Sequence, residues 1–498
     1  MIKKILLPIL FATSIQSFSQ DLSYGLVLND TANHPMQAKS KPAYLDTIHD
    51  PSFGTVIRRI TNAGAGNVIV PMYSTVQAWN SDETYMILYN KTTGDHILLN
   101  GKTYAPVRTL TDVSPLDIEQ IFWDFNNPDA FYYPEKTTYN FIKYTVSTST
   151  KQTIFNLDSV TACTGGFTLG NDVQMMSWDS DLVTFRCNND TAYSYRISTQ
   201  KVTTLALNAI NYVAPMPAPS GNLLYHRTSV YDTNGVLHKT LNASSTEHNC
   251  LGKLSNGNDA LFSVAFAQGP SGGCLGDIIA HDLDSGYCYD IISQAKGYNY
   301  TQSGVHISSL AHKNTEGGWI AASMMGYNKD GQSLLDQELV IAKAEEGNVK
   351  VCRIGHHRSD ADDWSYWGEP HAVISPTGTR VLFASDWSGT DDGHSIDCYV
   401  VELPIHFLNT TSIIEKSKLT HTLFPNPTNS SAILKFNNSS NSPFSYSLLN
   451  SQGQIVNSQL VENSSEYKIE KNNLPEGVYF YTLIFKDGTY INGKIVFN

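Results

Sequence analysis

Between residues 77 and 383 one order of apolar and polar positions keeps returning. An apolar stretch runs into a turn of Asp, Asn, Ser or Gly, and the turn opens a strand of aromatic and β-branched residues. Gln77 to Leu88 is the first instance, with Trp79 before the turn and Tyr85, Met86 and Ile87 after it. The pattern recurs at Ile121 to Tyr133, Met176 to Phe185, Pro217 to Tyr225, Lys253 to Phe262, Lys313 to Ser323 and Ile374 to Phe383. The turns return roughly every 50 positions, a period typical of propeller blades. Each interval has room for four short strands, and a second hairpin shows at His96 to Tyr104, Tyr193 to Thr203 and His281 to Tyr289. No helical stripe competes with this alternation. The pattern predicts an all-β chain with a seven-bladed β-propeller, one sheet per repeat around a channel. Residues 30 to 60 must then add a closing strand or cap one face. An irregular sandwich is the alternative.

The periodicity ends at 402. Residues 403–421 lose the pattern; Asn409 to Ser412 and Glu415 to Lys418 are polar, and the segment reads as an exposed linker. From 422 the alternation resumes at shorter spacing. Pro425 and Pro427 fix φ and remove backbone donors, so the segment starts extended. Gly453 and Gly488 sit in turn chemistry between strand-forming runs such as Val478 to Ile484. A small C-terminal β-sandwich is expected over 422–498. At the other end Met1 to Lys4 is basic and Ile5 to Ala12 apolar, followed by Ser17, Phe18 and Ser19. That is the layout of a secretory signal peptide over 1–20, too short to span a bilayer. No later run reaches about 18 apolar residues, so no transmembrane segment is expected. The propeller is assigned to 21–402.

The tail carries more specific information. Leu423-Phe424-Pro425-Asn426-Pro427, the strand Gly477-Val478-Tyr479 and the close Gly493-Lys494-Ile495-Val496-Phe497-Asn498 resemble the C-terminal sorting domain of the type IX secretion system. The resemblance implies export through the periplasm to the cell surface or the medium, with the secretion machinery as a partner.

Composition fits an exported protein. Asp plus Glu is 46 against 33 for Lys plus Arg, a net charge of −13 that disfavours nucleic acid. Charged residues make up 16%, below the roughly 25% of average domains. Tyrosine, asparagine, serine and threonine take their place, a surface suited to carbohydrate. Export permits disulfides, and the spacings of Cys163 with Cys187 and of Cys250 with Cys274 suit two bridges. No CxxC, GxSxG, P-loop or HExxH occurs, so redox-pair, serine-esterase, nucleotide and zincin chemistry have no footing.

In a propeller the innermost strands line the channel. Counting back from each turn puts Tyr73 and Gln77 on the first, Glu119 or Gln120 on the second, His248 on the fifth, His306 or His312 on the sixth, and Glu369 and His371 on the seventh. Neutral imidazoles with a carboxylate oxygen suit a divalent metal such as Mn, Zn or Ni. The alternative is that each histidine separately bonds a backbone carbonyl. Asp360, Asp362 and Asp363, with Asp391 and Asp392, offer oxygens to Ca, although they lack the EF-hand order.

Glu369-Pro370-His371-Ala372-Val373-Ile374-Ser375-Pro376-Thr377-Gly378-Thr379-Arg380-Val381-Leu382-Phe383-Ala384-Ser385-Asp386 resembles the last blade of oligogalacturonate-lyase-like propellers and, more loosely, TolB-type blades. In that family histidines and a glutamine on inner strands bind a divalent metal. The metal acidifies the proton next to a uronate carboxylate, and a base removes it in β-elimination. His371 matches the family histidine; His248 and His306 are assigned by position, and Glu369 stands where another histidine is expected. The resemblance implies action on acidic polysaccharide or oligosaccharide as a metal-assisted lyase. Such chemistry needs a cation for the uronate, with Arg227 and Arg358 as candidates, and a base, with His226, His357 and Tyr366 as candidates. A non-catalytic propeller that binds glycan or protein is the competing expectation.

Overall fold

The structure is a computed structural model. It describes residues 20–161, 163, 167–168, 174–187, 191–205, 207, 214–243, 247–298, 306–326, 328–359, 365–389, 395–410, 420–438, 442–450, 455–461, 464–485 and 490–498. The expected signal peptide and the Asp360, Asp362, Asp363, Asp391 and Asp392 calcium candidates lie outside these residues. The chain divides into two compact units, 1–407 and 408–498.

The first unit is a seven-bladed propeller. Six sheets are built of four consecutive antiparallel strands, the fifth for example from Glu247–Lys253, Asp259–Ala265, Gly276–Asp282 and Cys288–Ile292. The seventh takes Val373–Ile374, Arg380–Ser385 and Asp397–Glu402 from the end of the unit. It takes its fourth strand, Val56–Arg59, and an outer fifth, Thr47–His49, from the start. Ile57 pairs with Val401, so the expected closing strand is present and couples the two ends of the ring. Asp397 is fully buried beneath this seam. Its carboxylate accepts from Arg59 Nη2 at 2.7 Å, Thr61 Oγ1 at 2.7 Å and the Ala63 backbone N–H at 2.8 Å, and pairs with Lys41 Nζ at 2.9 Å.

The repeated turns join the first and second strands of each blade, and they also tie neighbouring blades together. Asn80 donates to the Pro128 carbonyl at 2.8 Å, Asn126 to Asp179 at 3.2 Å and Thr377 to Glu83 at 2.7 Å. The Arg196 guanidinium reaches the Gly221 carbonyl at 2.8 Å, and Ser220 bonds Asp259. A short polar side chain or a glycine is needed there because the backbones approach closely. At Gly317 a Cβ would stand 2.3 Å from the Leu254 carbonyl oxygen. The recurring Asn, Asp, Ser and Gly thus record blade-to-blade contact as well as turn geometry. Between the sheets, apolar residues such as Phe262, Ile320, Ile341 and Phe383 are fully buried and merge into extended cores.

The channel is closed below by cross-axis contacts. Gln77 Nε2 donates to the carbonyls of Leu310 and Ile374, in the sixth and seventh blades, at 3.1 and 2.9 Å. Gln174 Nε2 donates to the Leu251 carbonyl at 3.0 Å. His312 lies flat on Phe125 at 3.7 Å between ring centroids. The inner strands begin at the opposite face. Second-to-third-strand and blade-to-blade connections all emerge on that face, including 266–275, 325–337, 357–372 and 386–396. Long loops on one face of a rigid ring mark the functional end.

One of these loops carries a buried charge. Asp336 is 1% exposed, and burial together with the nearby Asp330 pushes its carboxyl up to about 6. The folded chain therefore holds this proton over a range where the unfolded chain has lost it. The stabilisation is present in full below the ordinary Asp value of about 4 and is lost as pH rises through the raised value. Asp336→Asn should accordingly raise Tm by roughly 1–3 °C at neutral pH and leave it unchanged near pH 4. Thermal scans at the two pH values check this, and an equal shift at both would contradict it.

Cysteine pairing differs in part from expectation. Cys163 and Cys187 are bonded, but Cys274 pairs with Cys288. Cys250 is a buried thiol on the inner strand of the fifth blade, accepting from Ser309 at 3.0 Å and unable to reach the loop that carries Cys274. The segment expected to be a linker from 403 opens as a helix, Pro404–Thr410, with His406 Nδ1 within 3.1 Å of Thr379 Oγ1.

The second unit is a β-sandwich. One sheet contains His421–Phe424, Ser431–Phe436 and Glu466–Glu470; the other contains Ile455–Val461, Phe444–Leu449, Gly477–Phe485 and Tyr490–Phe497. Alternate residues Tyr479, Tyr481, Leu483 and Phe485 enter its core, while Val478 and Phe480 face outward. The turns holding Gly453 and Gly488 lie outside the described residues.

Candidate metal centre

Three inner strands bring histidines to the open mouth. His306 begins the inner strand of the sixth blade, and His371 precedes that of the seventh. His248 lies near the start of the fifth blade's, at a β-bulge between Glu247 and Cys250. Two of the three sit at positive φ, His248 at 50° and His371 at 44°. Non-glycine residues there carry strain, which concentrates at functional sites. The bulge and the left-handed residue re-aim the two rings toward the axis. His306 is 4.3 Å from His371 and 5.0 Å from His248 between ring centroids. Tyr73 of the first blade packs against both His306 and His371, at 5.4 and 5.0 Å.

Glu369 completes the cluster. Its Oε2 lies 3.4 Å from His306 Nε2 and 3.6 Å from His371 Nε2, and the ligand atoms of the three residues fall within 4.8 Å of one another. A metal bonded at about 2.1 Å to tetrahedrally placed ligands requires ligand atoms about 3.4 Å apart. The donor set therefore fits a divalent ion. His306 and His371 are 1% and 2% exposed, and His371 Nε2 has no hydrogen-bond partner among the described residues. Burial, with the other imidazoles adding, pushes His306 well below the usual histidine range; burial and His248 push His371 down to about 3. Both rings are thus neutral with a lone pair to offer.

This contrasts with histidines bonded to backbone carbonyls. His96 bonds the Ile118 carbonyl at 2.9 Å and His312 that of Leu310 at 3.2 Å. His312, the alternative to His306, belongs to the closed end. His357 bonds the Met324 carbonyl at 3.1 Å and accepts from the Ser359 N–H at 3.0 Å, so both ring nitrogens serve packing. Arg358 is likewise committed, to the Gln37 carbonyl at 2.9 Å and Asp50 at 3.3 Å, with its guanidinium over Trp387. Arg358 clamps the N-terminal segment, and the structure brings neither residue into the histidine cluster. His226 and Arg227 lie elsewhere on the mouth face. His226 is buried at the end of the fourth blade's second strand, and Arg227 is exposed in the turn that follows, at φ 58°.

Tyr366 does reach the site. Its ring is 4.8 Å from His371, and its hydroxyl donates to Glu119 Oε1 at 2.9 Å. Glu119 and Gln120 both approach the inner strand of the second blade, so the choice between these neighbours resolves into two roles. Glu119 receives Tyr366, while Gln120 Oε1 is buried without a hydrogen-bond partner among the described residues. Sequence reasoning missed Arg186, 7% exposed and next to last in the second strand of the third blade. It occupies the mouth end of that strand, as His226 does in the fourth blade, and register across blades was the signal available for it.

Residues 422–498 match the family of secretion system C-terminal sorting domains. The chain carries a type IX secretion sorting domain. It is therefore exported to the cell surface or the medium, and no helix among the described residues is long and apolar enough to cross a membrane. No curated protein matches the chain in sequence. Solved structures match the propeller. An oligogalacturonate lyase in complex with manganese aligns over 74% of this chain and 98% of its own, with 14% identity and a TM-score of 0.50. The oligogalacturonate lyase of Vibrio parahaemolyticus aligns over 74% and 99%, with 15% identity and a TM-score of 0.52. At these identities the likeness is one of fold.

Proposed function

We propose that the exported propeller binds a divalent metal at its mouth and cleaves an acidic polysaccharide or oligosaccharide by β-elimination at a uronic acid. The observation that carries this reading is the convergence of His306, His371 and Glu369, three ligand residues whose donor atoms lie within 4.8 Å, on a fold shared with oligogalacturonate lyases. His306, His371 and Glu369 hold the ion, with His248 beside them; Mn and Zn suit the nitrogen-rich set better than Ca. A bound ion there would neutralise the uronate carboxylate and make the adjacent C–H acidic. Arg186 and Arg227 lie on the same face and would hold the acidic sugar.

The proton is removed by the pair formed by Tyr366 and Glu119. The tyrosine oxygen takes the α-proton as its own proton passes to the Glu119 carboxylate along the 2.9 Å hydrogen bond. The C–O bond to the leaving sugar breaks as the C=C bond forms, and the departing oxygen is protonated from solvent. Tyr366→Phe should lower kcat about 100-fold or more while leaving metal affinity unchanged. Glu119→Gln should do the same and alter the acidic limb of the pH–rate profile, which a purely structural role would not.

The test of the whole reading is ultraviolet absorbance from newly formed unsaturated uronates. It uses a panel of acidic polysaccharides, with Mn or Zn supplied and with chelator. A metal-dependent rise on at least one polymer is expected. A flat trace across the panel, with the metal demonstrably bound, would instead favour a non-catalytic binder.

A further inference from the structure

A cavity lies away from the mouth cluster, on the outer rim of the fifth blade. It encloses about 690 Å³ between the loop 266–275 and the outer strand Cys288–Ile292. That volume is within the range of pockets that take small ligands. We infer that this rim pocket is a binding site for a neutral saccharide unit, separate from the metal centre.

The walls are fixed in advance. The disulfide Cys274–Cys288 fastens the end of the loop to the outer strand. Asn242 grips the loop from the fourth-to-fifth-blade connection, donating to the Gly272 carbonyl at 2.9 Å and accepting from the Ser271 N–H at 3.1 Å. Ala243 and Gln268 form an isolated antiparallel bridge. Gly269 and Gly272 make the tight turn between these anchors, and any side chain on Gly269 would meet the Asn242 backbone at 2.5 Å. A loop held at three points, with glycine where the chains touch, keeps its shape without ligand. Pre-organisation of this kind removes much of the ordering cost of binding.

The lining gives the ligand class. Gln268, Gln294, Asp277 and Asp290 contribute amides and carboxylates, and Tyr287 contributes a ring that is 55% exposed. Asp290 Oδ1 is buried without a hydrogen-bond partner among the described residues, while its Oδ2 accepts from Ser293 at 2.8 Å. Planar amides and carboxylates take pairs of sugar hydroxyls, as acceptors and donors in fixed directions. An exposed aromatic ring covers the apolar face of a pyranose. Among the described residues no Lys or Arg lines the cavity, and two carboxylates do. A uronate would meet repulsion there, so the occupant is an uncharged sugar. A polymer engaged at both places would present an acidic unit to the mouth and a neutral one to the rim.

Saturation-transfer NMR on the full exported chain tests this. The probes are neutral gluco-, galacto-, manno-, xylo- and arabino-configured disaccharides, with digalacturonate alongside. At least one neutral disaccharide should bind the wild type and bind His306→Ala equally well. Tyr287→Ala and Gln268→Ala, both surface changes that leave the core intact, should each weaken that binding about tenfold. Asp290→Asn should weaken it less, because an amide keeps one acceptor. If no neutral probe binds, or if binding survives Tyr287→Ala and Gln268→Ala together, the inference fails. Loss of the signal in His306→Ala would also overturn it, by placing the sugar at the mouth. Failure of the metal-centre reading looks different: neutral binding persists while no uronate is cleaved.

Discussion

His306→Ala should eliminate stoichiometric binding of Mn or Zn and reduce uronate cleavage about a thousandfold or more, with the circular-dichroism spectrum unchanged. The ring is the middle member of the cluster, 3.4 Å from Glu369 and in contact with both other histidines. Its removal takes away one of three converging ligand atoms and leaves a cavity that water can fill. A metal site with an open position depends on every protein ligand, and the acidification of the substrate C–H goes with the ion. Titration calorimetry measures the binding and ultraviolet absorbance the turnover. Retention of one tightly bound ion per chain in His306→Ala would remove this residue from the ligand set. His312→Ala is the matched control: its ring lies at the closed end of the channel, and metal binding should be untouched.

Asp397→Ala should destabilise the propeller by about 3–5 kcal/mol. The carboxylate is fully buried and satisfies Arg59, Lys41, Thr61 and the Ala63 N–H at the seam between the last blade and the N-terminal strand. Without it, two cations of 9% and 4% side-chain exposure lose the fully buried carboxylate that neutralises them at the seam. Breaking a buried pair by removing one partner is far more costly than never having built it. Denaturant unfolding followed by tryptophan fluorescence reads the change. Lys435→Ala, which cuts an exposed pair with Glu466 in the other unit, should shift stability by less than about 1 kcal/mol. Equal effects from the two variants would contradict this account of the seam.

The propeller was legible in the chain because its turns repeat a physical requirement. Each needs small polar residues where one blade meets the next, and the strand after it must alternate. Counting back from those turns reached His248, His306 and His371, since inner-strand residues share an axis whatever their separation in sequence. What the sequence could not supply is partnership across long separations. His357 and Arg358 sit in a run rich in catalytic residue types, yet Asp50 and Gln37, some 300 positions away, commit Arg358 to packing. Tyr366 and Glu119 are 247 positions apart, and neither signals the other in the sequence. Cys250 and Cys274 have a hairpin-like spacing, but one side chain points into the core and the other leaves it. The positive φ angles of His248 and His371 had no local signal either, because glycine or asparagine, the usual residues there, are absent.

The seam also sets an order of events. Arg58 bonds Glu402 across 344 positions, and the ring has no closed state until both are present in the same compartment. Contacts so distant in sequence form late and slowly. Blades one to six can assemble in succession as the chain emerges, but the seventh waits for its own three strands and holds the N-terminal segment unpaired until then. The sorting domain, residues 422–498, comes after the last of those strands in the chain. By the time the export signal at the C-terminus is available to be read, every residue needed to lock the ring has already been delivered. The order of the segments along the chain thus lets the ring close before the sorting domain is read.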